Sequence, residues 1–211
     1  KGARHTIPKI PRLSTMRRTF LLFFLLFLSA YKLPGQPYRN AALPVEERVE
    51  DLLSRMTIEE KVAQLLCPLG WQYNERIDTE GGGMLWATFR ADPWTGRTLE
   101  NGLRPSTAAR RANELQHHAV ENTRLGIPLF LAEEAPHGHM AIGTTTFPTG
   151  LGMGATFSRQ LLERVGTTIA REIGRQGAHI AFGPVLDLAR DPRWSRTEEC
   201  MGEDPLLVGE L

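Results

Sequence analysis

A chain of 211 residues, 41% hydrophobic and 23% charged, is long enough for one domain with a substantial core. Its formal charge of +1 conceals two regions: residues 1–35 hold seven Lys/Arg and no acid, which leaves the rest about six units negative. That acidic body argues against a nucleic-acid binder, which needs a basic face. Two cysteines, Cys67 and Cys200, are too few for a disulfide framework and lack zinc-ligand spacing, so they read as reduced or buried thiols, with a bridge between them as the alternative.

Residues 1–15 lack an initiator Met and any apolar periodicity, and read as an upstream extension with the start at Met16. From there Arg17 and Arg18 precede an apolar run, Phe20 to Ala30, and then Lys32 and a Pro-Gly break, the layout of a secretory signal over 16–35. As a helix the run would span about 16 Å, roughly half a bilayer core, so no stable membrane span is expected after cleavage between Ala30 and Gln36. Export to a periplasmic or extracellular space follows as the expected localisation.

Val45, Val49, Leu52, Leu53 and Met56 recur at helical spacing after Pro44. Thr57 and Glu60 form a T-x-x-E capping box for a second helix whose apolar face would be Ile58, Val62, Leu65 and Leu66. Short strands are expected at Cys67–Leu69 and, after the Gly81-Gly82-Gly83 turn, at Met84–Thr88. The polar loop Arg90–Ser106 carries Trp94, which suits either stacking on a sugar or anchoring a core. Ser106 would cap a helix to Arg124 with Ala108, Ala112, Leu115 and Ala119 inward; His117 and His118 are adjacent and point about 100° apart, which rules out a helical i, i+4 metal pair.

Ile127–Ala132 reads as a buried parallel strand, with Glu133 and Glu134 at its C-terminal end. Strand alternation turns one of the two carboxylates toward a barrel axis and the other away. His137-Gly138-His139 invites a metal-dependent hydrolase, but no third ligand of convincing spacing follows, so a structural turn is favoured. Ser158 caps a helix with Leu161, Leu162, Val165, Ile169 and Ile173 buried, ended by Gly174 and Gly177. A strand from His179 to Leu188 then feeds a charged loop, Arg190 to Asp204, around Trp194. Guanidinium groups beside carboxylates and an indole suit a polyhydroxylated ligand. Strands alternating with helices predict an α/β fold of parallel βα units with about four strands, and a strand feeding a charged loop is how an α/β barrel builds an active face.

The blocks RDPRWSRTEECMGEDP (190–205) and IPLFLAEEAPHGHMAIGTTTFPTGLGMGATFS (127–158) resemble, in order and spacing, those of glycoside hydrolase family 3. The resemblance runs from Val45 to Leu211 and implies a partial N-terminal barrel domain over 36–211, the N-terminal half of a (β/α)8 TIM-like barrel whose sheet would end with exposed edges. The chain departs from the family at Ser195, where Gly is usual, and at Glu198, where an aromatic is common. The family resemblance implies that Glu133 stands where an Asp usually binds sugar hydroxyls, that Arg196 does likewise, and that Glu199 fixes Arg196. It also implies a retaining mechanism with two carboxyl groups about 5 Å apart. The nucleophile, the acid/base and a sugar-binding K-H pair are expected beyond Leu211, so no catalytic residue is assigned in this chain. The implied enzyme is an exported β-glucosidase-type hydrolase acting on terminal β-linked sugars of oligosaccharides, without a cofactor or metal. A β-xylosidase of the same family is the alternative, as is a non-catalytic carbohydrate-binding protein should the chain be complete. The 211-residue chain alone is expected to hydrolyse no glycoside.

Overall fold

The computed structural model describes residues 35–70 and 82–211. The upstream extension, the secretory signal up to residue 34, and Gly81 lie outside the described residues. The chain divides into two compact units, residues 1–55 and 56–211.

In the first unit a 3-10 turn, Pro37–Arg39, precedes α1 (Val45–Arg55). The Asp51 carboxylate ties the two together, accepting the Tyr38 amide at 3.1 Å and the Arg55 Nε at 3.0 Å. Arg48 Nε donates to the Tyr38 carbonyl at 2.9 Å. The Arg55 hydrogen bond holds the Asp51 carboxyl below the ordinary range.

The second unit opens with α2 (Ile58–Ala63). Its capping box forms as the sequence predicts: Thr57 Oγ1 accepts the Glu60 amide at 3.2 Å and Glu60 Oε2 accepts the Thr57 amide at 2.9 Å. The expected buried face does not form. Ile58, Val62, Leu65 and Leu66 are exposed and only Ala63 is buried; the helix stops at Ala63, so the two leucines lie beyond its last turn and cannot share its face.

Next come β1 (Met84–Trp86), α3 (Pro105–Asn122), β2 (Phe130–Glu134), α4 (Gly150–Gly154), α5 (Arg159–Gln176), β3 (Ile180–Phe182) and α6 (Pro205–Glu210). The strands pair in parallel in the order β1-β2-β3, with Leu85 opposite Leu131 and Glu134 opposite Phe182. Parallel neighbours need a crossover, and α3 and α5 supply the two. The result is an α/β fold, three consecutive strands of a partial barrel.

Four strands were expected, and their bounds differ from the sequence reading. Cys67–Leu69 contributes a single bridge, Leu69 to Trp86. β2 begins at Phe130 rather than Ile127. The Gln116 side chain takes both backbone groups of Leu129, accepting its N–H at 3.0 Å and donating to its carbonyl at 2.7 Å, so strand pairing starts one residue later. The segment from His179 to Leu188 is neither a long strand nor buried. It leaves the sheet after Phe182, since Pro184 has no N–H to pair, and β3 forms the sheet edge with Phe182 and Leu186 exposed.

The core lies between the sheet and the two crossover helices. Ala108, Ala112, Leu115 and Ala119 of α3 are all buried, as predicted, and pack with Leu85, Leu131 and Ile173. Ser106 is not the cap of α3. Arg104 is, without a side-chain bond, and Pro105 at the first position has no N–H that needs one. On α5, Ser158 Oγ accepts the Leu161 amide at 3.3 Å, and Gly177 at φ +94° closes the helix. Its buried apolar residues are Leu162 and Ile173; Leu161 faces solvent.

Candidate functional site

Alternation along the three strands sorts their side chains onto two faces. Leu85, Leu131 and Glu133 share the parity that packs against α3 and α5. Trp86, Phe130, Glu134 and Phe182 share the other, the open face, where Phe130 is 58% exposed. The two adjacent glutamates therefore point in opposite directions, as the sequence reading required.

Which of them faces the open side is the reverse of the expected assignment. Glu133 is 0% exposed. Its Oε1 accepts the Phe89 amide at 3.1 Å, and its Oε2 lies 3.7 Å from Nε2 of the equally buried His139. A sugar on the open face cannot reach it. Glu134 is the available carboxylate, and its Oε1 accepts the Trp86 indole N–H at 2.9 Å. Burial pushes the Glu134 carboxyl above the ordinary range, against the pull of Arg90, Trp86 and Arg196 and with a push from Glu199. A group poised this way binds a hydroxyl well, because partial desolvation strengthens whatever hydrogen bond it makes.

Around Glu134 stands an aromatic arc. The Trp86 ring centroid is 5.9 Å from Trp94 and 6.3 Å from Phe182. The Arg90 guanidinium lies 4.6 Å over the Trp94 ring, donates to Asp92 at 2.6 Å and sits 3.9 Å from Glu134. Burial raises the Asp92 carboxyl, but hydrogen bonds from the Thr95 amide and Arg90 outweigh it and leave the group below the ordinary range. Trp94 is 58% exposed, which favours the ligand-facing one of its two sequence readings over the core anchor.

This arm leaves β1 through an unusual backbone. Ala87 has φ +59° and is fully buried, a left-handed conformation that costs an L-residue about 1–2 kcal/mol. The Ala87 amide still reaches the sheet, donating to the Ala132 carbonyl at 2.8 Å. The turn redirects the chain so that Arg90 bridges to Ala141 and the Ala91 amide donates to Met140 at 2.9 Å.

Arg196 and Glu199 are paired: Nε and one terminal nitrogen donate to the same Glu199 oxygen at 3.0 and 2.6 Å. That bond raises the Arg196 pKa, with further contributions from Glu134 and Asp187, so both members of the pair lie within electrostatic reach of Glu134. The turn Thr197–Glu199, which Arg196 caps and Glu199 ends, is seated on α4. A Cβ added at Gly150 would strike the Glu199 carbonyl, and one at Gly154 the Met201 carbonyl. Helix and turn thus meet backbone to backbone.

The HGH turn is occupied structurally. His137 Nδ1 bonds the Phe147 carbonyl at 3.1 Å, and His139 packs edge-on to Phe89. Among the described residues no three His, Cys, Asp or Glu side chains gather in a metal-holding group. Cys67 is exposed and Cys200 buried, both free. Sequence reasoning missed Arg90, Trp86 and the choice of Glu134. The Arg-x-Asp-x-Trp spacing of 90–94 was visible, but its convergence on β2 was not.

The model of the glycosyl hydrolase family 3 N-terminal domain matches residues 57–211. A putative β-xylosidase of Formosa agariphila is 35% identical over 187 residues, 84% of this chain and 24% of that protein. A periplasmic β-glucosidase of Salmonella typhimurium is 32% identical over 178 residues, 81% of this chain and 21% of its own. A β-glucosidase structure from Erythrobacter marinus superposes with TM-score 0.70 at 31% identity, covering 83% of this chain and 23% of that one. The chain thus spans about a quarter of the length of these relatives. With its parallel strands, crossover helices and charged strand ends matched over 57–211, the chain belongs to glycosyl hydrolase family 3, in the N-terminal domain.

Proposed function

We propose that this chain supplies part of the sugar-binding face of an exported retaining β-glycosidase that removes terminal β-linked sugars, glucose before xylose. The observation that carries the reading is the cluster of Glu134, Arg90 and Arg196 with Trp86 and Trp94 at the strand ends of a family 3 domain. In that arrangement carboxylate and guanidinium groups hydrogen-bond hydroxyls, while an indole packs on the C–H face of the ring. Glu134 takes the hydroxyl-binding role first expected of Glu133; Arg196 is its cationic partner, and Glu199 holds Arg196 in place. Export is supported by Arg17-Arg18 ahead of the Phe20–Ala30 run and by the periplasmic relative. No helix among the described residues is long and apolar enough to cross a membrane.

The test is hydrolysis of aryl β-glucosides and aryl β-xylosides by the gene product that contains residues 1–211. Glu134→Gln is expected to lower kcat/KM about 10- to 100-fold, the scale of one charged hydrogen bond. Absence of any β-glycoside turnover by the wild type sinks the activity. Turnover unaffected by Glu134→Gln sinks the residue's role.

A further inference from the structure

We propose that Glu133 is a positioning residue: its buried carboxylate holds the Phe89 amide, and through it the arm that sets Arg90 beside Glu134. The proposal rests on the glycosidase reading above. Three observations carry it. First, a fully buried carboxylate is costly unless hydrogen-bonded, and among the described residues the backbone partner of Glu133 is the Phe89 N–H, 44 residues away in sequence. Second, that amide comes two residues after Ala87, whose left-handed backbone (φ +59°) persists only where its surroundings hold it. Third, Arg90 is the next residue, bridged to Ala141 and 3.9 Å from Glu134, so a shift at Phe89 moves its guanidinium directly. His139 closes the same buried spot from the other loop, 3.7 Å from the second carboxylate oxygen and edge-on to Phe89.

Adjacent glutamates on one strand thereby divide the work. Glu134 faces the ligand; Glu133, on the opposite side of the sheet, sets the geometry of the group that stands beside Glu134. This role differs from a merely structural one in what it predicts for kinetics. Losing the Phe89 hydrogen bond disturbs ligand binding through Arg90, so its effect disappears where Arg90 is already gone.

The experiment compares Glu133→Gln, Glu133→Leu, Arg90→Ala and the double variant Arg90→Ala/Glu133→Leu in the whole gene product, with an aryl β-glucoside as the probe. Gln keeps a carbonyl acceptor at the same reach, and its KM is expected within threefold of wild type. Leu removes the acceptor, and its KM is expected to rise at least tenfold with a smaller change in kcat. The double variant is expected to match Arg90→Ala alone. Where Leu prevents folding, as judged by circular dichroism, Glu133→Asn serves instead, being polar but one carbon too short to reach Phe89. An unchanged KM in Glu133→Leu or Glu133→Asn overturns the proposal, as does equal damage from Gln, or effects of Arg90 and Glu133 that multiply. A wild type inactive on every β-glycoside overturns the glycosidase reading instead.

Discussion

The two faces of the three-stranded sheet are built from alternate residues of the same short strands and behave as different materials. On the helix-facing side Leu85 and Leu131 are fully buried against α3, and an acidic side chain, Glu133, is sealed in with a backbone partner. On the open side Phe130 is mostly exposed, and the charged groups, Glu134 and Arg90, are held by an indole, an aspartate and each other. A period of two along a strand is enough to separate a core from a binding surface at consecutive positions. The difference teaches that a carboxylate's role follows its parity before its neighbours in sequence.

The sharpest way to break this comparison is to truncate one apolar residue on each face. Leu131→Ala is expected to destabilise the domain by about 3 kcal/mol, because a fully buried side chain leaves a cavity. Phe130→Ala, one residue earlier and largely exposed, is expected to cost about 0.5 kcal/mol or less. Denaturant unfolding followed by far-UV circular dichroism checks both; equal losses would mean the faces are not distinct.

A second comparison sets a glycine beneath the open-face loop against one on the outside of a helix. Gly154→Ala drives a methyl into the Met201 carbonyl and is expected to cost about 1–3 kcal/mol, loosening the turn that presents Arg196 and Glu199. Gly166→Ala, within α5 and with nothing near its Cβ, is expected to stabilise by about 0.5–1 kcal/mol. Thermal midpoints of opposite sign support the backbone seat of the turn; two gains remove it.

The smallest effect separates two carboxylates on the open side. Asp92 has its pKa lowered in the fold, so its contribution is present above the ordinary carboxylate range and is lost as pH falls through the folded value. Glu134 has its pKa raised; just above the ordinary value the folded state binds more protons than the unfolded, so stability declines as pH rises through that window. Unfolding midpoints between about pH 3 and 7 should show a shallower acid-side decline in Asp92→Asn and a shallower decline with rising pH in Glu134→Gln. A wild-type profile with neither slope contradicts both shifts.

Much of this was legible in the chain itself. The inward face of α3 could be read because four small or apolar residues recur at helical spacing, and the caps at Thr57 and Ser158 because each needs only a local side chain. The opposition of Glu133 and Glu134 followed from strand geometry alone. The family followed from ordered blocks of residues, and the matched domain covers 57–211.

What sequence could not decide were the outcomes set by partners far along the chain. Gln116 displaces the start of β2 through a bond 13 residues away, and Pro184 cuts short a strand whose apolar pattern runs on. Above all, parity names two faces but not which is covered. That choice was made by α3 and α5 packing on the side of Leu131, which buried Glu133 and left Glu134 open. Local spacing fixes direction because it depends on backbone geometry; burial depends on what another segment brings to the surface, and only the assembled tertiary structure contains that.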